Sequence, residues 1–146
     1  LLVLIMLTWL IFTNNFSQFK LYFFAIVLIC VTSDIGGYMF GKIIGGKKLT
    51  KISPNKTYSG SIGSYFLSIT FTFLIFNKYF SSEFIILYSI IISTISQIGD
   101  LMISKLKRKA KIKDTGNLLP GHGGLLDRFD GLIFAIPLGL VILNFL

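Results

Sequence analysis

The chain has 146 residues, of which 53% are hydrophobic and only 14% are charged, and its mean hydropathy is +0.79. Soluble domains of this length cover their core with charged residues, so this composition excludes a soluble globular protein and indicates an integral membrane protein. The net charge of +8 is concentrated in short segments between apolar runs, and no nucleic-acid partner is expected.

Five apolar segments follow one another along the chain and predict an all-α fold with about five transmembrane helices. They cover residues 1–12, about 21–38, 62–80, 84–103 and 131–146. A spanning helix needs about 20 residues, so the three middle segments have the required length and the two outer ones are short. The whole chain, 1–146, is interpreted as one membrane domain, with apolar helices in 1–32 and a region rich in motifs in 33–146.

The basic residues fall mainly in two of the connections between these segments. The first holds Lys42, Lys47, Lys48, Lys51 and Lys56, and the second holds Lys105, Lys107, Arg108, Lys109, Lys111, Lys113 and Arg128. Only Lys20 and Lys78 lie in the other two connections. Because cytoplasmic loops carry the excess of Lys and Arg, both basic connections are predicted to face the cytoplasm.

Two aspartates lie inside otherwise apolar helices, close to their predicted cytoplasmic ends. They are Asp34 in CVTSDIGGY and Asp100 in SQIGDLMIS. A carboxylate at mid-membrane costs about 2.5 to 3.5 kcal/mol on insertion scales, and less near the interface, unless a cation compensates it. The compensating cation is either a Lys or Arg side chain or a bound metal ion, and the pattern leaves both open.

The segment KDTGNLLPGHGGLLDRFDG, residues 113–131, is the most polar part of the chain. Every acid on this predicted side is Asp, and short carboxylates among glycines suit Mg²⁺, whereas the Cys and His spacing of a zinc site is absent. Lys56, Lys113 and Arg128 stand beside turn residues or acids and are candidate phosphate ligands. His122 suits a phosphate contact and a hydrogen bond to an acid equally well.

Glycine spacing suggests a second feature, because GGYMFGKIIGG contains glycines four residues apart at positions 37, 41 and 45. Such spacing in an apolar segment is typical of closely packed helices.

The residues from Ser104 to Asp130, SKLKRKAKIKDTGNLLPGHGGLLDRFD, resemble the C-terminal pattern of the phosphatidate cytidylyltransferases, also called CDP-diacylglycerol synthases. That pattern has Ser, Lys-Arg, four residues, Lys-Asp, and then Pro-x-His-Gly-Gly followed by Asp-Arg-x-Asp. Three upstream blocks, SDIGGYMFGKIIGGKK, ISPNKTYSGSIG and QIGDLMISKLKR, are similar to further blocks of the same family. The resemblance extends from about Ser33 to the C-terminus.

The resemblance implies a metal-dependent nucleotidyltransferase of phospholipid biosynthesis. Such an enzyme transfers the cytidylyl group of CTP to phosphatidate and releases diphosphate, with Mg²⁺ in a two-cation centre. The expected partners are CTP, phosphatidate and the lipid bilayer, the active site is expected to face the cytoplasm, and a homodimer is left open.

The resemblance also implies roles for individual residues. The implied catalytic residues are Asp100, Asp127, Lys113, Arg128 and His122. The implied metal ligands are Asp100 and Asp127, followed by Asp114, Asp130 and Asp34. The implied substrate-binding residues are Ser33, Ser53, Lys56, Thr57, Lys107, Arg108, Gly123 and Gly124.

Two departures from the family pattern keep other readings open. Where many members have Thr-Trp-Glu-Gly, this chain has Thr57-Tyr58-Ser59-Gly60. The chain also starts with leucine rather than methionine, in an uncharged apolar run, which suggests the C-terminal part of a longer protein. The alternatives are a non-catalytic or truncated homologue and a small polytopic transporter, although transporter carboxylates usually lie near mid-bilayer. The Asp-Gly-x-x-Ala-Arg spacing of the CDP-alcohol phosphotransferases does not occur.

Overall fold

The computed structural model describes residues 16–50, 53, 55–112 and 129–143. In this part the chain forms four helices, α1 (Phe16–Ile43), α2 (Tyr58–Phe76), α3 (Ser82–Lys109) and α4 (Leu132–Leu143). Three of them, α1, α2 and α3, are long and apolar enough to cross a membrane, and α4 is a shorter apolar helix of 12 residues. The predicted all-α membrane fold is confirmed, while the predicted segment 1–12 lies outside the described residues.

The helix boundaries differ from the apolar segments for local reasons. Helix α2 begins at Tyr58, four residues before the predicted segment, because the Thr57 hydroxyl caps it and accepts a hydrogen bond from the Gly60 N–H at 3.1 Å. Helix α3 continues to Lys109, six residues beyond the predicted end at position 103. Lys and Arg are good helix formers, and cations are favourable at a helix C-terminus, so the basic tail extends the helix past the apolar run.

The apolar core lies where α1, α3 and α4 meet. Ile26 and Ile29 of α1, Tyr88 and Ile92 of α3, and Leu140 of α4 are all buried there. The Tyr88 hydroxyl donates a hydrogen bond to the backbone carbonyl of Gly139, 3.2 Å away, and so satisfies its polar end inside this core.

Helices α1 and α2 approach so closely that glycine is required at the contact. A Cβ atom on Gly36 would lie 2.5 Å from the Gly63 carbonyl oxygen, and one on Gly60 would lie 2.6 Å from the Gly37 carbonyl oxygen. The close packing predicted for Gly37 is therefore confirmed. The prediction for Gly45 is wrong, because this residue follows the end of α1 with a φ of 64°, and a Cβ atom there would have no described atom within 4 Å.

Small polar side chains connect the three long helices. The Ser33 and Ser93 hydroxyls share a hydrogen bond of 2.8 Å between α1 and α3, and the Ser64 hydroxyl of α2 donates to the Ser33 carbonyl at 2.7 Å. Ser61 donates to Gln97 Oε1 at 2.6 Å, and Gln97 Nε2 donates to Ser93 at 3.2 Å. Lipid chains are as apolar as the side chains of these helices, so in a bilayer close contacts and hydrogen bonds of this kind hold helices together.

Candidate active site

A polar cavity of about 250 Å³ opens between the three long helices and the start of α4. It lies at the end of α2 that begins at Tyr58. Its walls include six residues predicted from sequence to bind substrate or metal, namely Ser33, Asp34, Lys56, Thr57, Asp100 and Asp130. Residues that are far apart in sequence are thus brought together at one end of the helix bundle.

The position of this cavity relative to a bilayer follows from the helix lengths. Helix α2 has 19 residues, about 28 Å, which is close to the roughly 30 Å thickness of a bilayer's hydrocarbon core. Asp100 lies level with the start of α2, because it pairs with Lys56, and α3 continues nine residues beyond it, or about 13 Å. Asp34 lies farther along α2, because the carbonyl of its neighbour Ser33 accepts a hydrogen bond from Ser64. The cavity therefore lies where the hydrocarbon core would end if α2 spans it.

A lysine and an aspartate form an ion pair across the cavity. Lys56 Nζ lies 2.5 Å from Asp100 Oδ2, and the two side chains are 27% and 33% exposed. The backbone holds Lys56 in place, because its N–H donates to the Ser53 carbonyl at 3.1 Å and its carbonyl accepts from the Leu49 N–H at 2.7 Å. The pair thus joins the connection that precedes α2 to the middle of α3.

A second ion pair is more buried than the first and joins α3 to the start of α4. Lys107 Nζ lies 2.9 Å from Asp130 Oδ2, and these side chains are only 13% and 5% exposed. Lys107 follows Asp100 by seven residues, so both project from the same face of α3. Two of the carboxylates at this end of the bundle are thus compensated by lysines, the first of the two possibilities that the sequence left open.

Asp34 differs from these two carboxylates. It lines the same cavity but makes no ion pair with any residue that the structure describes. Asp100, Lys56 and Asp130 line the same cavity. Asp34 and Asp100 are consequently two acids on the wall of one cavity, and Lys56 is the one lysine among the described residues that line it.

Several predicted residues are engaged elsewhere or lie outside the description. The hydroxyls of Ser33 and Thr57 bond to Ser93 and to the first turn of α2, respectively. Ser53 and Arg108 do not line the cavity, and Lys107 reaches it only through Asp130. The remaining predictions, Lys113, Asp114, His122, Gly123, Gly124, Asp127 and Arg128, lie outside the described residues.

Three neutral side chains on the cavity wall were not predicted. Gln97 lines it from α3, and Ser61 and Ser64 line it from the first two turns of α2. Gln97 precedes Asp100 by three residues, and this spacing on a helix puts two side chains on one face, so the sequence did carry a signal for it.

Ser59 stands where the resembled family often has Glu. Its hydroxyl donates to the Gly45 carbonyl and shares a hydrogen bond of 3.0 Å with the Thr57 hydroxyl. Ser59 therefore ties the end of α1 to the start of α2, beside the cavity.

The donor atoms of the cavity are consistent with Mg²⁺. Among the described residues there is no cluster of three or more His, Cys, Asp or Glu side chains, so a metal ion bound here would take at most two carboxylates from this part of the chain. Mg²⁺ keeps several waters and takes one or two carboxylates together with substrate phosphates. Asp34 and Asp100, with hydroxyl groups beside them, supply donors of that kind.

Comparison with known proteins gives a consistent result. A model described as the cytidylyltransferase family matches residues 1–146. The chain is 44% identical over 125 residues to a phosphatidate cytidylyltransferase of Staphylococcus aureus (strain COL), covering 83% of this chain and 47% of that protein. It is 39% identical over 129 residues to the Bacillus subtilis (strain 168) protein of the same name, covering 85% and 48%. The chain spans about half the length of the curated relatives it matches.

Proposed function

Because the chain belongs to the cytidylyltransferase family, we propose that it carries the site at which the cytidylyl group of CTP is transferred to phosphatidate, giving CDP-diacylglycerol and diphosphate. The observation that carries this proposal is the cavity with Asp34, Lys56 and Asp100 on its walls, at the end of a helix of membrane-spanning length. The relatives named phosphatidate cytidylyltransferase support the same reaction.

The reaction needs charge neutralisation more than proton transfer. The attacking group is a phosphate monoester, whose second pKa of about 6 leaves it largely dianionic at neutral pH, so no general base has to activate it. The main barrier is the approach of two anionic phosphates, and fixed cations together with in-line alignment lower that barrier. Among the described residues, three aspartates that could hold a cation and one lysine line the cavity, which is consistent with this task.

The residues of the cavity are proposed to have different roles, according to their chemistry. Asp100 and Asp34 would hold Mg²⁺, and Asp127 and Asp114 are proposed as further ligands from motif position alone. When bound, Mg²⁺ neutralises phosphate charge and stabilises the departing diphosphate. Lys56 contributes a flexible point charge to the phosphates. Asp130, held by Lys107, keeps the start of α4 against α3 and so shapes one wall of the site.

The position of the cavity suits a lipid substrate. The acyl chains of phosphatidate would remain in the bilayer while its phosphate enters the cavity at the edge of the hydrocarbon core, where CTP arrives from water. The excess of lysine and arginine in the connections at this end supports a cytoplasmic orientation.

The test supplies detergent-solubilised protein with labelled CTP, phosphatidate and Mg²⁺ and measures which product contains the label. Label from [α-³²P]CTP is expected in the chloroform-soluble product, and label from [γ-³²P]CTP is expected to stay in the aqueous phase as diphosphate. Lipid labelled from the γ position would indicate phosphoryl transfer instead. If neither label reaches lipid, the chain is not the catalytic part of such an enzyme, and ion flux in proteoliposomes without CTP consumption would favour a transporter.

A further inference from the structure

Lys56 lies where a metal ion would also have to bind. Its ammonium group is 2.5 Å from Asp100 Oδ2, and Asp34 lines the same cavity. These two aspartates are the described residues proposed above as Mg²⁺ ligands. A divalent cation and an ammonium group repel each other, so they cannot both stay close to the same carboxylate oxygen without loss of binding energy.

Resting on the function proposed above, we propose that Lys56 is an exchangeable counter-ion. Before substrates bind, its ammonium compensates the charge of Asp100. When a divalent cation binds Asp100, the ammonium moves from the carboxylate to the phosphates of the incoming nucleotide. Lys56 thereby weakens metal binding in the absence of nucleotide and strengthens nucleotide binding in the presence of metal.

The need for such a counter-ion comes from the position of Asp100. Its side chain is only 33% exposed and lies on an apolar helix, level with the start of the membrane-length helix α2. An uncompensated carboxylate at that level is costly, so a protein that binds its metal together with substrate needs another cation at other times. Lys56 supplies that cation from within the chain.

The side chain of Lys56 has room to change its partner, whereas the side chain of Lys107 is closely enclosed. The backbone of Lys56 is anchored on both sides by hydrogen bonds to Ser53 and Leu49, while its side chain is 27% exposed at the cavity. The ammonium can therefore change partner at the end of a flexible four-carbon stem without any change in the fold. The side chain of Lys107 is only 13% exposed, against an Asp130 that is 5% exposed.

Exchange of this kind couples the two ligands. Metal binding frees the lysine charge for phosphate, and phosphate binding removes the competitor of the metal. By linkage, each ligand increases the affinity for the other by the same factor. The site would thus favour the metal and the nucleotide together over either one alone.

The experiment measures Mn²⁺ binding by electron paramagnetic resonance in detergent-solubilised protein without nucleotide. Lys56→Gln is expected to bind Mn²⁺ about tenfold more tightly than the wild type, because the competing charge-assisted contact is gone. Lys56→Arg keeps the charge and is expected to bind no more tightly than the wild type. Lys48→Gln, which removes an exposed lysine of the same connection, is the matched control and is expected to have no effect.

Two further measurements complete the test. Adding Asp100→Asn to Lys56→Gln is expected to abolish the tighter Mn²⁺ binding, which identifies the carboxylate. The KM for CTP is expected to rise about tenfold in Lys56→Gln, opposite in direction to the change in metal affinity.

The outcomes are distinguishable. Equal Mn²⁺ affinity in the wild type and Lys56→Gln overturns the exchange and leaves the proposed reaction standing. An unchanged KM for CTP in Lys56→Gln overturns the transfer of Lys56 to phosphate. Failure of both proteins to bind Mn²⁺ contradicts the metal assignment and the exchange together. Tighter Mn²⁺ binding combined with no lipid product in the label assay would support the exchange and contradict the proposed reaction.

Discussion

At the scale of single residues, the site is organised by two ion pairs that differ in burial. Lys56 and Asp100 meet at a partly open cavity, whereas Lys107 and Asp130 meet in a nearly closed space. Exposed pairs contribute little to stability, but removing one partner of a buried pair leaves a charge without compensation. The first pair is therefore suited to ligand binding and the second to holding α3 and α4 together.

Asp130→Ala tests the structural role of the buried pair. The change removes the carboxylate that Lys107 Nζ contacts at 2.9 Å, and it is expected to lower the free energy of unfolding by about 3 kcal/mol. Thermal unfolding in detergent measures the loss. Glu83→Gln, an exposed acid in the first turn of α3, is the control and is expected to leave stability nearly unchanged. Equal stability of Asp130→Ala and the wild type would rule out the structural role.

The sequence predicted most of the described acids and bases of the site but not their partners. Asp34, Lys56 and Asp100 all line the cavity, as their motif positions suggested. Which lysine meets which acid depends on the packing of α1, α2 and α3, because Lys56 and Asp100 are separated in sequence by the whole of α2. Gln97 was missed because motif matching favours charged residues over neutral ones.

At the scale of helices, the approach of α1 to α2 determines the shape of the cavity. Gly36 and Gly60 let the two backbones come within contact distance of Gly63 and Gly37, and Gly63 also makes room for the Phe40 side chain. Gly37 and Gly60 also line the cavity, so the same residues that permit the packing form part of its wall. A side chain at this contact would separate the helices and widen the site.

Gly60→Ala tests this contact. Its Cβ would lie 2.6 Å from the Gly37 carbonyl oxygen, a backbone atom that cannot turn aside, so the helices must shift. The expected cost is about 1 to 3 kcal/mol of stability, with a parallel loss of activity. Ile62→Ala, two residues along α2 and 69% exposed, is the matched control for thermal unfolding. If both variants unfold alike, the close contact is not required.

The helices themselves were largely predictable, whereas their ends were not. Apolar runs located α1, α2 and α3 because membrane-spanning helices need long apolar segments. Hydropathy could not show that α3 continues through the basic residues to Lys109, since a helix outside the hydrocarbon core no longer needs to be apolar. The end of α1 was also missed, because the apolar segment was predicted to end at about residue 38, whereas the helix continues to Ile43.

At the scale of the whole molecule, the first basic connection and the basic end of α3 lie at the same end of the described bundle. The connection between α1 and α2 packs against the start of α2, where the backbones of Lys48 and Thr57 form a bridge. The basic end of α3 lies on the same side, because Asp100 pairs with Lys56. The fold class was thus predictable from composition and hydropathy, while the cavity required the three-dimensional packing.

Cysteine labelling tests the orientation of this end. Lys48→Cys is expected to resist a membrane-impermeant maleimide in intact cells and to react after permeabilisation, whereas Lys78→Cys is expected to react in both cases. The native Cys30 is buried and provides a low background. The opposite pattern would invert the topology and put the cavity on the external side.

The most direct test of the central claim compares CDP-diacylglycerol formation by the wild type, Asp100→Asn and Glu83→Gln. Asp100→Asn keeps the size of the side chain but removes the charge that would hold the cation, and kcat is expected to fall by at least about 100-fold. Glu83→Gln removes an acid at the opposite end of α3 and is expected to retain wild-type turnover. Wild-type turnover by Asp100→Asn would contradict the proposal that this cavity is the site of cytidylyl transfer.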